Sequence, residues 1–250
     1  MLISFFEEFP TSENLAKLDL VTWKTKVYLA APGLTAFKSL QQQTTQKKNI
    51  LETIYWPVLK KKEGYWISPF SQRKALQNIF DELKKEVVPV MLDLELPTTQ
   101  NASLFCTEFL HFNANKNAIS EFINSYYGEI YLAEYYPFDE KSRKKLEWAG
   151  LHYQNPKVKV IKMFYHSLHS FTDDFLKEHF QRGQSELGRK YLPALGTIAI
   201  GVQGNEPILS LEKLKQDLMT AREQKIKEVI IFRLGGLTKE YARLLARFAD

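Results

Sequence analysis

Eight short runs rich in Val, Ile, Tyr and Phe recur along this chain, each followed by a turn signal and then by a stretch with helical spacing. Alternation of that kind is the pattern of βα units, whose strands pair in parallel and are covered by their own helices. The runs cover residues 2–6, 26–31, 52–56, 87–94, 129–134, 158–165, 197–202 and 229–233. Eight units in 250 residues leave about 31 residues for each, close to what one strand, one helix and two short loops require. The pattern therefore predicts α/β architecture, a single-domain (β/α)8 TIM barrel over residues 1–250, with little chain left for a second domain.

Local signals agree with this layout. Ser12, Asp139, Ser210 and Thr238 each precede a helical run, where a short oxygen-bearing side chain can accept from an orphan N–H of the first turn. Leu211, Leu214, Leu218 and Ala221 repeat at helical spacing before the eighth strand, and Tyr241, Leu244, Leu245 and Phe248 close the chain in the same way. Two connections exceed the simple unit: residues 65–70, ahead of a helix over 72–85, and residues 97–110. Long loops after barrel strands are where function tends to sit. The polar segment 41–48 is expected to fray.

Composition excludes several classes. With 44% hydrophobic and 25% charged residues, the chain is neither disordered nor collagenous, and its period is not that of a coiled coil. The single cysteine, Cys106, cannot form an internal disulfide, which points to a reducing, cytoplasmic setting and to a small buried hydrophobe in place of a nucleophile. The first ten residues lack a basic region and are cut by Glu7 and Glu8, unlike a signal peptide. No run of ~18 apolar residues occurs, so no transmembrane helix is expected. The net charge of +5, from 34 basic and 29 acidic residues, comes without a basic helix or an RNA-binding signature, so nucleic acid is not the expected partner.

In a barrel, chemistry gathers at the C-terminal ends of the strands. Those ends carry Glu7 or Glu8, Trp56, Asp93 with Glu95, Glu134 with Tyr135, Tyr165 with His166, Gln203 and Arg233. The fourth strand assigns faces. Val90, Leu92 and Leu94 share one side, and Pro89, Met91, Asp93 and Glu95 share the other, because side chains two apart on a strand point the same way. Two inward carboxylates ~7 Å apart at the backbone would repel each other, raising one pKa and splitting the pair into a proton donor and an ionised partner. Glycosidic-bond cleavage needs that division. Acids leaving a strand into solvent are the plainer alternative.

The run 89–95, Pro-Val-Met-Leu-Asp-Leu-Glu, resembles the Asp-x-Glu motif on the fourth strand of barrel glycoside hydrolases, the chitinase-like family 18 and the muramidase-like family 25. The resemblance implies that Glu95 is the general acid and that Asp93 orients or stabilises the substrate's acetamido group. The family 18 pattern has further aspartates ahead of the pair, where this chain has Val88 and Met91. The family 25 pattern has an aspartate on the first strand, where this chain has Glu7 and Glu8.

Around this pair, Trp56, Tyr65, Trp66, Phe70, Tyr126, Tyr127, Tyr135, Tyr136 and Tyr165 fall at or after strand ends, where rings can stack on sugars or simply fill the core. Trp66 reads as a loop residue whose N–H needs a partner. His166 and His169 with Asp173 and Asp174 have a spacing that metals use, but such spacing is common by chance, and neither metal nor cofactor is expected. A competing reading places a phosphorylated metabolite on the glycine-bearing loops after strands 7 and 8, residues 201–205 and 233–238, with Gly204, Gly235, Gly236 and Arg233 as anion donors. Walker A, G-x-G-x-x-G, H-E-x-x-H, G-x-S-x-G and C-x-x-C patterns are absent.

The expectation is a glycoside hydrolase-like barrel acting on an oligosaccharide or other small molecule. Glu95 is the acid, with Asp93 and either Glu8 or Glu134 assisting. Trp56, Trp66, Tyr135, Tyr165, His166, Gln203 and Arg233 bind substrate. A barrel that binds carbohydrate without turnover is the third reading.

Overall fold

The computed structural model describes residues 1–97, 101–137 and 139–250. Its strands are β1 (Leu2–Glu7), β2 (Thr25–Ala31), β3 (Ile50–Pro57), β4 (Val90–Asp93), β5 (Ile130–Glu134), β6 (Lys159–Phe164), β7 (Tyr191–Gly196) and β8 (Glu228–Phe232). Between and after them run α1 (Ser12–Ala16), α2 (Leu34–Thr45), α3 (Arg73–Lys85), α4 (Leu104–Thr107), α5 (Phe112–Ser125), α6 (Glu140–Trp148), α7 (Asp173–Leu187), α8 (Leu211–Glu223) and α9 (Lys239–Ala246). The strands pair in chain order and β8 closes on β1, giving the (β/α)8 barrel that the alternation predicts. No helix among the described residues is long and apolar enough to cross a membrane.

By contact density the chain divides into two compact units, Met1–Leu29 with Ser39–Ile54 and Val160–Asp250, and Ala30–Lys38 with Tyr55–Lys159. In the first, register assigns faces, because residues matched across a ladder point the same way. Ser4 lies opposite Ile230 and Phe6 opposite Phe232 on one side and Tyr28 on the other. The Phe6 ring meets Tyr28 at 5.2 Å and Phe232 at 6.3 Å, and Tyr165 meets Phe232 at 5.5 Å. A polar layer on the same face holds the buried Glu228: the Ser4 hydroxyl donates to it at 2.7 Å and Lys26 Nζ lies at 3.1 Å. A buried carboxylate without such partners would cost several kcal/mol. On the opposite face Phe164 packs edge-on against Phe180 of α7 at 5.4 Å.

In the second unit Val90, Met91, Leu92 and Asp93 pair with Ile130, Tyr131, Leu132 and Ala133. Helices cover the outer side: Phe37 of α2 stacks on Tyr55 at 5.0 Å, and Phe80 of α3 stacks on Phe122 of α5 at 4.5 Å. Rings buried in this way each contribute on the order of 1.5–3 kcal/mol. The first turn of α2 borrows a cap from α3, since the Leu34 N–H donates to Glu82 Oε2 at 2.8 Å.

Several sequence expectations are corrected. The seventh strand is Tyr191–Gly196, not residues 197–202, which form the loop after it. Pro193 within it has no N–H to give a ladder and so hides the strand from a propensity reading. The fourth strand starts at Val90, because the Val88 N–H and carbonyl are both bonded to the Tyr126 hydroxyl, at 2.9 and 2.6 Å. Thr11, not Ser12, caps α1, whereas Asp139, Ser210 and Thr238 cap their helices as expected. Part of the polar segment 41–48 is the last turn of α2. Cys106 is exposed, the buried residue of α4 being Leu104.

Candidate active site

Strand β4 delivers Asp93, buried at 4% exposure, and the chain then turns tightly, with the Glu95 N–H donating to the Asp93 carbonyl at 3.2 Å. Two further bonds hold this exit in place: the Leu94 N–H donates to the Ala133 carbonyl at 2.8 Å and the Ile67 N–H to the Asp93 carbonyl at 2.9 Å. The Tyr135 hydroxyl donates to Glu95 Oε2 at 3.2 Å. Burial pushes the Glu95 carboxyl up to about 7, with the Tyr135 hydrogen bond pulling the other way. Burial and the charges of Glu95 and Asp93 together drive the Tyr135 hydroxyl well above its ordinary value. The three groups thus form one electrostatic cluster, with a carboxyl that keeps its proton near neutrality beside a second acid.

Glu134 is not part of that cluster. Asp93 is matched in register with Ala133, so Glu134, one residue on, points to the opposite side of the sheet. There it is fully buried against His152 Nδ1, on the segment leading into β6. Trp56 and Trp66, expected to present rings to substrate, are 3% and 5% exposed. Trp66 packs edge-on against Tyr65 at 5.4 Å, and its carbonyl accepts from the buried Ser71 hydroxyl at 2.7 Å. Both rings are buried, Trp66 against its neighbour Tyr65. Tyr126 clasps β4 as described, and Tyr127 is fully outside at 96% exposure.

In the other unit, the end of β1 sends two acids in different directions. Glu7 accepts from the N–H groups of Phe9 and Gly235 at 2.8 and 2.6 Å and pairs with Arg233 at 2.9 Å. Burial raises its carboxyl, and Arg233 with the two N–H groups partly offsets that rise. Arg233 also donates to the Ile200 carbonyl at 2.9 Å and covers the Phe9 ring at 4.8 Å. Of the donors assigned to a phosphate, Arg233 and the Gly235 N–H are thus taken by Glu7, while the Gly204 and Gly236 N–H groups donate to the Gly201 and Arg233 carbonyls at 3.2 and 3.1 Å, and Arg233 is a strut for Glu7.

Glu8 turns toward Gly201. A Cβ on Gly201 would stand 3.0 Å from Glu8 Oε2 and 2.7 Å from Glu206 Oε1, so a second carboxylate pair converges on that glycine. Its charge repels phosphate, against the anion reading of this loop. The Gln203 N–H donates to Glu206 Oε1 at 3.2 Å while its side chain is exposed. Glu206 escaped the sequence reading because it follows a strand placed too late. His166 has both ring nitrogens engaged, with Asp217 at 2.9 Å and the Phe171 carbonyl at 3.0 Å, which leaves neither for a substrate. Asp217 comes from α8, more than fifty residues away in sequence, so nothing local in the chain announces the pair. Tyr165 lies against Phe232 in the aromatic layer. Asp173 pairs with Lys213 at 2.8 Å, and among the described residues no three His, Cys, Asp or Glu side chains gather as a metal would require.

No protein-family model and no curated protein matches the chain by sequence. Solved structures match by shape. A GH18 chitinase from Pseudoalteromonas aurantia superposes with a TM-score of 0.57 at 9% identity, over 99% of this chain and 100% of that one. The Bacillus cereus spore cortex-lytic enzyme SleL gives 0.55 at 12% identity, over 100% of this chain and 74% of that one. A putative alpha-L-fucosidase from Bacteroides thetaiotaomicron gives 0.55 at 10% identity, over 98% and 91%. The chain has the (β/α)8 barrel fold that these glycoside hydrolases share.

Proposed function

We propose that the protein is a single-domain glycoside hydrolase that cleaves a bond next to an N-acetylated sugar, with Glu95 as general acid and Asp93 as the group that steadies the acetamido substituent. The observation that carries this reading is the Tyr135 hydroxyl on Glu95, beside Asp93, with burial holding the Glu95 proton up to about 7. A carboxyl that retains its proton near neutral pH can give it to a leaving oxygen, and an adjacent acid can stabilise positive charge developing at the acetamido nitrogen. In the first step the C1–O glycosidic bond breaks as the acetamido oxygen bonds to C1 and the Glu95 proton passes to the departing oxygen. In the second, water attacks C1 and gives a proton to Glu95 as the bond from C1 to the acetamido oxygen breaks and the acetamide is restored. The shared fold of chitinases and a cortex-lytic enzyme favours such a substrate class.

Turnover of an aryl N,N'-diacetylchitobioside by the wild-type protein and by Glu95→Gln tests this. Loss of a general acid typically costs about 10²–10⁴ in rate. Equal turnover by the two proteins overturns the assignment, and tight binding of the sugar with no turnover by either identifies a carbohydrate-binding barrel instead.

A further inference from the structure

Helix α6 lies outside the carboxylate clusters and carries a surface that they do not explain. Lys141, Lys144, Lys145 and Trp148 recur at i, i+3, i+4 and i+7, which places them on one helical face. They line a concavity of about 600 Å³ together with Glu140. Trp148 is 71% exposed, so its indole is open to a ligand beside the three lysines. Its position is nonetheless held: its ring rests on Phe112 at 5.6 Å, and its carbonyl accepts from Lys116 Nζ at 2.8 Å.

The acids of this segment are engaged mainly with other groups, and Asp139 in addition feels the charges of Lys141 and Lys145. Asp139 caps the helix by accepting the Ser142 N–H at 2.6 Å, and Arg143 takes Glu140 at 2.5 Å and Glu147 at 2.6 Å. Among the described residues no carboxylate forms an ion pair with Lys141, Lys144 or Lys145. Three lysines along about 6 Å of helix, with an indole about one turn beyond them, make a linear array. Such an array fits an extended polymer whose anionic groups meet the lysines while one flat ring lies on the tryptophan.

We propose that this face docks an anionic polysaccharide bearing carboxylate groups. The positive charge selects a polyanion, and the choice of a glycan among polyanions rests on the hydrolase reading above. Docking here holds a long chain on the protein independently of cleavage, so short neutral substrates do not need it.

Titration of the full-length protein with a hyaluronan decasaccharide, beside a neutral chitin oligosaccharide, provides the test. Hyaluronan is expected to bind with an affinity that falls as salt rises, as screening of ammonium contacts requires. Trp148→Ala is expected to weaken it at least about tenfold, the range of a central tryptophan anchor. A combined Lys141→Glu, Lys144→Glu and Lys145→Glu variant is expected to abolish it, with turnover of the aryl chitobioside unchanged in both variants. Glu95→Gln should bind hyaluronan as the wild type does, so loss of catalysis and loss of docking are separate outcomes. The proposal is overturned by absence of hyaluronan binding, by binding that neither variant disturbs, or by equal affinity for duplex DNA or phosphatidylglycerol vesicles.

Discussion

Tyr135, the first residue beyond β5, donates its hydroxyl hydrogen to Glu95 at the exit of β4 across 3.2 Å. The bond favours the ionised carboxylate and so opposes the burial that lifts Glu95 to about 7. Removing it in Tyr135→Phe lets burial act alone, and the Glu95 carboxyl rises further. For a general acid the active form is the protonated one, so the alkaline limb of the kcat/KM profile lies near pH 7 in the wild type and moves upward in Tyr135→Phe. A downward shift would mean that Tyr135 stabilises the neutral acid instead.

The same carboxyl couples stability to pH. Its folded value lies above the ordinary 4.5, so the native state holds a proton that the unfolded chain releases between those two values. Stability from this group is therefore fully present below about 4.5 and is lost as pH rises through about 7. Glu95→Gln removes the ionisation, so thermal melts should show the variant gaining on the wild type above pH 7 and no such gain at pH 4. A constant difference across that range would show that Glu95 does not titrate there.

Glu134 and His152 form a buried pair on the helix-covered side of β5. His152→Ala leaves a fully buried carboxylate without its imidazole, which costs roughly 1–3 kcal/mol. Urea unfolding should register that loss, while kcat per folded molecule stays at the wild-type value. A fall in kcat without loss of stability would return Glu134 to the catalytic group.

Arg233 is held between Glu7 and the Ile200 carbonyl. Breaking a buried ion pair by removing one partner typically costs about 3–5 kcal/mol, so Arg233→Ala should lower the denaturation midpoint sharply. Glu7 would then hold its proton to still higher pH. A variant of unchanged stability with a raised KM would instead make Arg233 a substrate contact.

Gly201 leaves room for two carboxylates. A methyl there would stand 2.7 Å from Glu206 Oε1, closer than such atoms approach, and 3.0 Å from Glu8 Oε2 and from Phe232 Cζ, both tight contacts. Gly201→Ala is therefore expected to displace both acids and to destabilise the protein by about 1–3 kcal/mol, the usual cost of overpacking. An unchanged melting temperature would show that Glu206 swings away freely.

How much of this was legible in the chain depends on how local each cause is. The two-residue period orients Asp93 on β4, but the strand ends there, and Glu95 lies beyond a turn where Tyr135 of the next strand's exit meets it. By the same rule Glu134 and Tyr135 alternate, yet which of them joins Asp93 depends on the pairing of β4 with β5, and one residue of register reverses the answer. The strand β7 was misplaced because Pro193 breaks its local signal while the hydrophobic run 197–202 imitates one. That error hid Glu206.

The amino-acid order alone set what neighbours along the chain decide: the alternation of strands and helices, and the caps at Asp139, Ser210 and Thr238. Only the tertiary structure decided which charges are consumed. Arg233 was available to an anion until Glu7 took it, His166 to a ligand until Asp217 arrived from α8, and Trp66 to a sugar until it was buried against Tyr65. The reason is energetic. A buried charge or polar nitrogen must find a partner inside the fold, and that partner is chosen by distance in space, which the order of residues does not state.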